Sequence, residues 1–290
     1  MDAAATPRAG RDSAASPRAR RSAPLIDAHA HFLHAACGRS DWRDVNAARF
    51  RAGEKMGITC HVASVLGSYG FTSPTYFPSP ADLTAGNDAM LGICAAEGAR
   101  VRMLTTVNPN YTDHALAELE RCTKQGAIGV KLLASRRADD PLLDPICEFA
   151  AAHRLPVLHH IWQHRTREWP GQEISDGADL AKLARRHPKV WFILAHIGGG
   201  GDYQHTFPAV KDVPNILPDI SGSGVDRGML DDAIKALTPQ RLLFGTDLTM
   251  ETGLAKLRAL EATGLCTDDD IADIRWRNAV RIFGDKAFAP

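Results

Sequence analysis

The sequence predicts a single α/β domain, a closed (β/α)8 barrel, on three observations. Short runs that are apolar on both faces recur at intervals of roughly 25–35 residues, as buried parallel strands do. Helical patterns fill the intervals between them. Polar residues suited to catalysis stand at the carboxyl ends of the runs, the edge where barrel sites are built.

The first run, Leu25–Ala28, leads into His29-Ala-His31 and then the amphipathic stretch Trp42–Lys55. Ile58–Val65 is the second strand, followed by the Ala-rich helix Asp82–Gly98. Val101–Val107 is the third, and Thr112/Asp113 signals the start of a helix to Lys124. Ala127–Leu132 is the fourth; Pro141–His153 opens on a helix-compatible proline. Pro156–His160 is the fifth, and its helix, Asp176–His187, stops before Pro188. Val190–Ala195 is the sixth, after which the pattern between Gly198 and Pro214 is short and irregular. Ile216–Ile220 and Arg241–Gly245 complete the strands; Val225–Leu237, Glu251–Thr263 and Asp268–Phe283 complete the helices. An open doubly wound sheet would want a Gly-rich phosphate loop after its first strand, and Ala28-His29-Ala30-His31 is not one.

With 290 residues, 44% hydrophobic and 23% charged, the chain is long enough for one large core. Lys+Arg and Asp+Glu both number 34, so no net charge draws the whole chain to nucleic acid or an anionic membrane. No apolar run approaches the ~20 residues a membrane helix needs. Six cysteines (Cys37, Cys60, Cys94, Cys122, Cys147 and Cys266) stand singly, which predicts reduced thiols in a cytoplasmic protein. Residues 1–22, rich in Ala, Arg, Ser and Pro, are expected to form a disordered tail before a barrel spanning 23–290. The Arg20-Arg21 pair has no hydrophobic stretch behind it and does not predict export.

On a strand, alternation turns His29 and His31 to one side with their Cα atoms about 6–7 Å apart. Such a pair either shares a cation or packs as two half-buried strand histidines. Further along, Lys131 ends strand four, His160 strand five, His196 strand six and Asp247 strand eight. A lysine, four imidazoles and a carboxylate meeting at one barrel face are hard to solvate without a divalent cation, whose natural ligands they are.

His29-Ala-His31, Gly-Val-Lys131-Leu, Pro-Val-Leu-His-His160, Leu-Ala-His196-Ile-Gly-Gly, Phe-Gly-Thr-Asp247 and Arg277-Asn-Ala-Val-Arg-Ile-Phe283 resemble the amidohydrolase superfamily. The likeness is to its amidohydrolase-related branch, which includes the aminocarboxymuconate semialdehyde decarboxylase type. It spans Pro24 to Gly284 and implies a distorted TIM barrel with one or two divalent metals, zinc first and manganese second. Carried over, His29, His31, His160 and Asp247 would ligate a single metal, with His196 orienting the attacking water or substrate. A carbamylated Lys131 would instead bridge two metals, His160 and His196 holding the second; an unmodified Lys131 would contact substrate. Where relatives often carry a histidine after the strand-four lysine, Leu133-Ala134-Ser135 stands here, which touches the substrate assignment more than the metal.

The implied activity is a metal-dependent hydrolase of an amide, ester or lactone, with Asp247 taking the proton of an activated water. The second reading is non-oxidative decarboxylation of a carboxylated small molecule, and the third a catalytically silent scaffold barrel. Arg136 and Arg165 at the mouth would clamp a substrate carboxylate or pair with acidic neighbours such as Asp139 and Asp140. Trp162 would stack on a ring or pack its loop. The expected partner is a small molecule, and a homodimer is compatible with this reading.

Overall fold

The computed structural model describes residues 23–37, 39–65, 73–161, 170–197, 203–224 and 228–288. The basic segment 1–22, Trp162, Arg165 and the glycine run at 198–201 lie outside them.

Seven parallel strands pair in chain order: β1 (Ile26–Phe32), β2 (Cys60–Val65), β3 (Val101–Val107), β4 (Gly129–Leu132), β5 (Val157–His159), β6 (Phe192–Leu194) and β7 (Ile216–Pro218). The expected eighth strand forms no regular ladder. Residues 242–247 instead bridge the two edges, pairing Leu243 with Asp219 and Asp247 with Ala30. Backbone bonds from Ala28 N–H to the Phe244 carbonyl (2.9 Å) and from Ile220 N–H to the Leu243 carbonyl (3.0 Å) close the ring.

Around it run α1 (Trp42–Met56), α2 (Pro80–Glu97), α3 (Thr112–Lys124), α4 (Asp144–His153), α5 (Gly177–Arg186), α6 (Tyr203–Val210), α7 (Met229–Leu237) and α8 (Met250–Ala262). The helix expected over 268–283 is three pieces: α9 (Asp268–Ala272), a π turn at Asp273–Arg277 and α10 (Asn278–Phe283). Among the described residues no helix is long and apolar enough to cross a membrane.

The core has an inner and an outer part. Inside the ring, Ile26, Ala28, Val62, Leu104, Leu158, Ile193, Leu217 and Leu243 fill the lumen, and Ile282 and Phe283 of α10 close its amino-terminal end. Outside it, Val130, Leu132, Val157, Phe192, Leu194 and Phe244 pack against the helices. This is the period-2 division that buried parallel strands require. The six cysteines are free thiols, and burial raises several of them, Cys60 to about 12, so they pack as small hydrophobes.

Candidate metal centre

Strict alternation along β1 would turn Asp27 to the same side as His29 and His31. The structure departs from it. Pairing with β2 shifts register between Asp27 and Ala30. Ala28 and His29 therefore both face the lumen, while Asp27 turns outward to His61 and Arg49. Such a bulge re-aims side chains at a strand end, and here it delivers both histidines to the site. At β6 a left-handed residue serves the same end: Ala195 belongs to the lumen core, and His196, at φ +67°, also faces inward. Asp247, at φ +57°, is left-handed too. Non-glycine residues in this region store strain of about 1–3 kcal/mol, and such positions cluster at functional sites.

The donor atoms converge. His29 Nε2 lies 3.1 Å from His31 Nε2, and His31 Nε2 lies 3.3 Å from Asp247 Oδ1. His196 Nδ1 lies 3.5 Å from Asp247 Oδ2. One ligand atom each from His29, His196 and Asp247 falls within a mutual 4.8 Å. His160 sits one ring further out, its Nδ1 3.1 Å from His196 Nε2. Hence His196, expected to orient water, stands in the tight group, and His160, expected as a ligand, touches the group through His196. Lys131 is buried in the floor, its Nζ donating to His29 Nε2 over 3.0 Å.

An outer partner sets the tautomer of His29. Asp219 Oδ2, which only accepts, is 2.9 Å from His29 Nδ1. His31 Nδ1 lies 3.3 Å from the Ser64 carbonyl, which only accepts, and 3.1 Å from the Ser64 hydroxyl, which can accept or donate. The His29 proton is thus drawn to Nδ1, leaving its Nε2 lone pair facing His31 Nε2, which in turn faces a carboxylate oxygen of Asp247. Burial holds all four imidazoles below their ordinary range, His29 and His160 well below it, so they are neutral at pH 7. Burial works to raise the Asp247 carboxyl, but the surrounding histidines, His196 foremost, outweigh it and hold it well below the usual range. Burial also pulls Lys131 down to about 8. Ligands about 2.0–2.2 Å from a common ion stand roughly 3 Å apart, so spacings of 3.1 and 3.3 Å fit a divalent cation. The Lys131 ammonium meets one of these atoms, His29 Nε2, and a divalent cation would meet His31 Nε2 and the Asp247 carboxylate as well.

Sequence reasoning missed Asp219, Ser221 and Tyr76. Asp219 and Ser221 follow β7 at period 2, the signal that exposed His29 and His31, and could have been found by it. Ser221 Oγ lies 3.3 Å from His29 Nδ1 and 3.2 Å from His196 Nδ1. Gly245 makes room for them, since a Cβ there would stand 3.1 Å from His29 Cβ and 3.4 Å from Asp219 Oδ1. Tyr76 comes from the loop before α2 and carried no motif; its ring centroid is 5.1 Å from that of His160. Arg136 is engaged by Glu173 at 3.1 Å and Asp140 at 4.0 Å, the acidic pairing rather than a free clamp. His159 hydrogen-bonds the His160 carbonyl at 2.8 Å, and His61 is a buried histidine bonded to Asp27.

Fold and donors together define a (β/α)8 barrel with a histidine- and aspartate-lined centre at the carboxyl ends of its strands. The chain belongs to the Amidohydrolase family, whose model matches residues 26–284. No curated protein sequence matches it. Among solved structures it is similar to 2,6-dihydroxybenzoate decarboxylase from Rhizobium, at 17% identity over 91% of this chain and 99% of that one, TM-score 0.70. It is also similar to 5-carboxyvanillate decarboxylase from Sphingomonas paucimobilis (18%, 90% and 99%, TM-score 0.66). A third is a dihydroxybenzoic acid decarboxylase from a Polaromonas species with bound manganese and 2-nitroresorcinol (17%, 90% and 97%, TM-score 0.64). At these identities the likeness establishes the fold.

Proposed function

We propose that this chain is a metal-dependent, non-oxidative decarboxylase of a small carboxylated molecule, aromatic or enolic at the carbon that bears the carboxylate. The observation that carries the reading is the charge of the cluster. Four neutral imidazoles contribute nothing, and two carboxylates, Asp219 and Asp247, against the Lys131 ammonium leave it one negative. A divalent cation reverses the sign and makes the centre a receptor for an anion. The decarboxylases that share the fold support the choice of carboxylate as that anion.

His29, His31, His196 and Asp247 would hold the ion, with His160 at the periphery. Bound there, zinc or manganese would supply Lewis-acid stabilisation of charge developing on substrate oxygens, and the manganese of the Polaromonas enzyme supports manganese. Lys131 attracts the substrate carboxylate from the floor. A proton taken up from water onto Asp247 Oδ2, which lies 3.5 Å from His196 Nδ1, is delivered to the substrate carbon that carries the carboxylate and is replaced from water at each turnover. The carbon–carbon bond then breaks, its electron pair returns to the ring or enol, and carbon dioxide leaves with the proton retained in the product. Tyr76, whose phenol burial raises to about 12, stays neutral and walls the pocket.

Hydrolysis is the second reading, and one observation favours it. The Asp247 carboxyl lies well below its usual range and so stands ionised, ready to accept a proton from water. A Lys131 amine near 8 is also partly neutral, the form that adds carbon dioxide, which supports the two-metal variant of that chemistry. The test is to load the protein with manganese or zinc and assay carboxylated phenols, 2,6-dihydroxybenzoate first, beside matched esters and lactones in deuterium oxide. Carbon dioxide release with one deuterium on the product carbon is expected. Acid release from the esters, with no carbon dioxide from any carboxylate, would replace decarboxylation by hydrolysis.

A further inference from the structure

We propose that Arg49 is a positioning residue for Asp247, acting from the helix layer through the backbone of that residue. The inference rests on reading Asp247 as a metal ligand. Arg49 lies on α1, whose sequence is that of a polar surface helix, yet the residue is only 5% exposed. A buried guanidinium is costly unless its donors are met. Nη1 donates to Thr246 Oγ1 at 2.8 Å and to Asp27 Oδ2 at 3.4 Å, and Nη2 to the carbonyls of Asp247 and of Leu248, the latter at 3.0 Å.

These bonds converge on three consecutive residues, 246–248. Asp27, fully buried, tightens the same point: it accepts from Thr246 N–H at 2.9 Å, Thr246 Oγ1 at 2.7 Å and His61 Nδ1 at 2.9 Å. The Asp247 N–H is taken by the His29 carbonyl at 2.7 Å. Both peptide groups flanking the Asp247 Cα are therefore pinned, one by β1 and the other by Arg49. That fixes the left-handed φ and with it the direction of Cα–Cβ. The carboxylate reaches His31 and His196 because its backbone has little freedom left. Lysine cannot reproduce this arrangement, because the three donors of its single ammonium nitrogen cannot span two carbonyls, a hydroxyl and a carboxylate that the two Nη atoms of a planar fork reach together.

The test uses the full chain with Arg49→Lys and Arg49→Met, beside Ile234→Ala on α7 as a destabilised control remote from the site. Three quantities are read: the melting temperature of the metal-free protein, manganese affinity by chelator competition, and the visible spectrum of the cobalt(II) form. The expected result is a loss of manganese affinity of about 10–100-fold in Arg49→Lys, the range for lost outer support of a ligand, with a shifted cobalt spectrum. Ile234→Ala should bind manganese as the parent does at a comparable loss in melting temperature. If Arg49→Met does not fold, Arg49→Lys decides alone. Parent-like affinity and spectrum in the folded Arg49 variants, with only the melting temperature lowered, would overturn the inference and leave the site reading standing. Failure of the parent to bind manganese or zinc would overturn both.

Discussion

Replacing Asp219 by asparagine tests the tautomer argument with a change of one atom. The Asp219 carboxylate meets three donors: His29 Nδ1–H on Oδ2 at 2.9 Å, and the amides of Ser221 at 2.9 Å and His196 at 3.3 Å on Oδ1. An asparagine offers one accepting oxygen and one donating NH2. If the oxygen keeps the two backbone amides, the NH2 faces His29 Nδ1 and forces the ring to carry its proton on Nε2, where a cation would bind. If the amide flips, two buried backbone donors meet an N–H instead. Either outcome leaves a buried polar group unmet, at a cost of about 1–3 kcal/mol to the metal-free fold. The first outcome also removes a metal lone pair, and loss of an outer-shell partner weakens metal binding by about 10–100-fold. Chelator competition with manganese or zinc, beside urea unfolding of the metal-free protein, separates the two terms. Ser221→Ala is the control: its hydroxyl is a weaker, longer partner, and a change under threefold is expected on the same scale. Parent-like metal affinity in Asp219→Asn would refute the claim that Asp219 sets the His29 tautomer.

Two further outcomes follow from the same geometry. Because burial lowers the His29 and His31 imidazoles below their ordinary range, protons compete with a cation only at lower pH. Metal affinity should stay within about twofold from pH 7.5 to pH 6, whereas ordinary imidazoles near 6.5 would lose about fourfold each and more than about tenfold as a pair; a steep fall through 6.5 in chelator titrations would contradict this. At Gly53 of α1, an added Cβ would stand 2.9 Å from His61 Nε2, and His61 is held in place by Asp27. Gly53→Ala should destabilise by about 1–3 kcal/mol in chemical denaturation, where an open helix site would gain up to about 1 kcal/mol; a gain would refute the contact.

The parts of the site that could be read from sequence were those that repeat along one strand. His29 and His31 at period 2, and Lys131, His160, His196 and Asp247 at the ends of apolar runs, needed only the rule that parallel strands end at one face. What could not be read depends on register between segments remote in sequence. The β1 bulge turns Asp27 away from the histidines, and nothing in Ile26-Asp27-Ala28 announces it. Arg49 looks like one more charge on a solvated helix until Thr246 and Asp247, about two hundred residues later, are laid beside it. The split between His196 in the tight group and His160 beyond it turns on a single left-handed residue. Arg136 finds Glu173 rather than open solvent because two loops meet, which no local pattern encodes. The eighth strand was legible as an apolar run but not as two isolated bridges, because pairing depends on both neighbours.

Those two bridges have a mechanical meaning. The ring is a continuous ladder from β1 to β7 and thin only where residues 242–247 join its ends. His29 and His31 lie on one lip of that gap, Asp219 on the other, and Asp247 on the strip between them. A cation gripped by His29, His31 and Asp247 would act as a clasp across the gap. It would slow the opening of amides such as Ala28, Ile220 and Asp247 far more than those in the β3–β5 wall. Hydrogen exchange would then show the catalytic centre and the closure of the barrel as one cooperative unit.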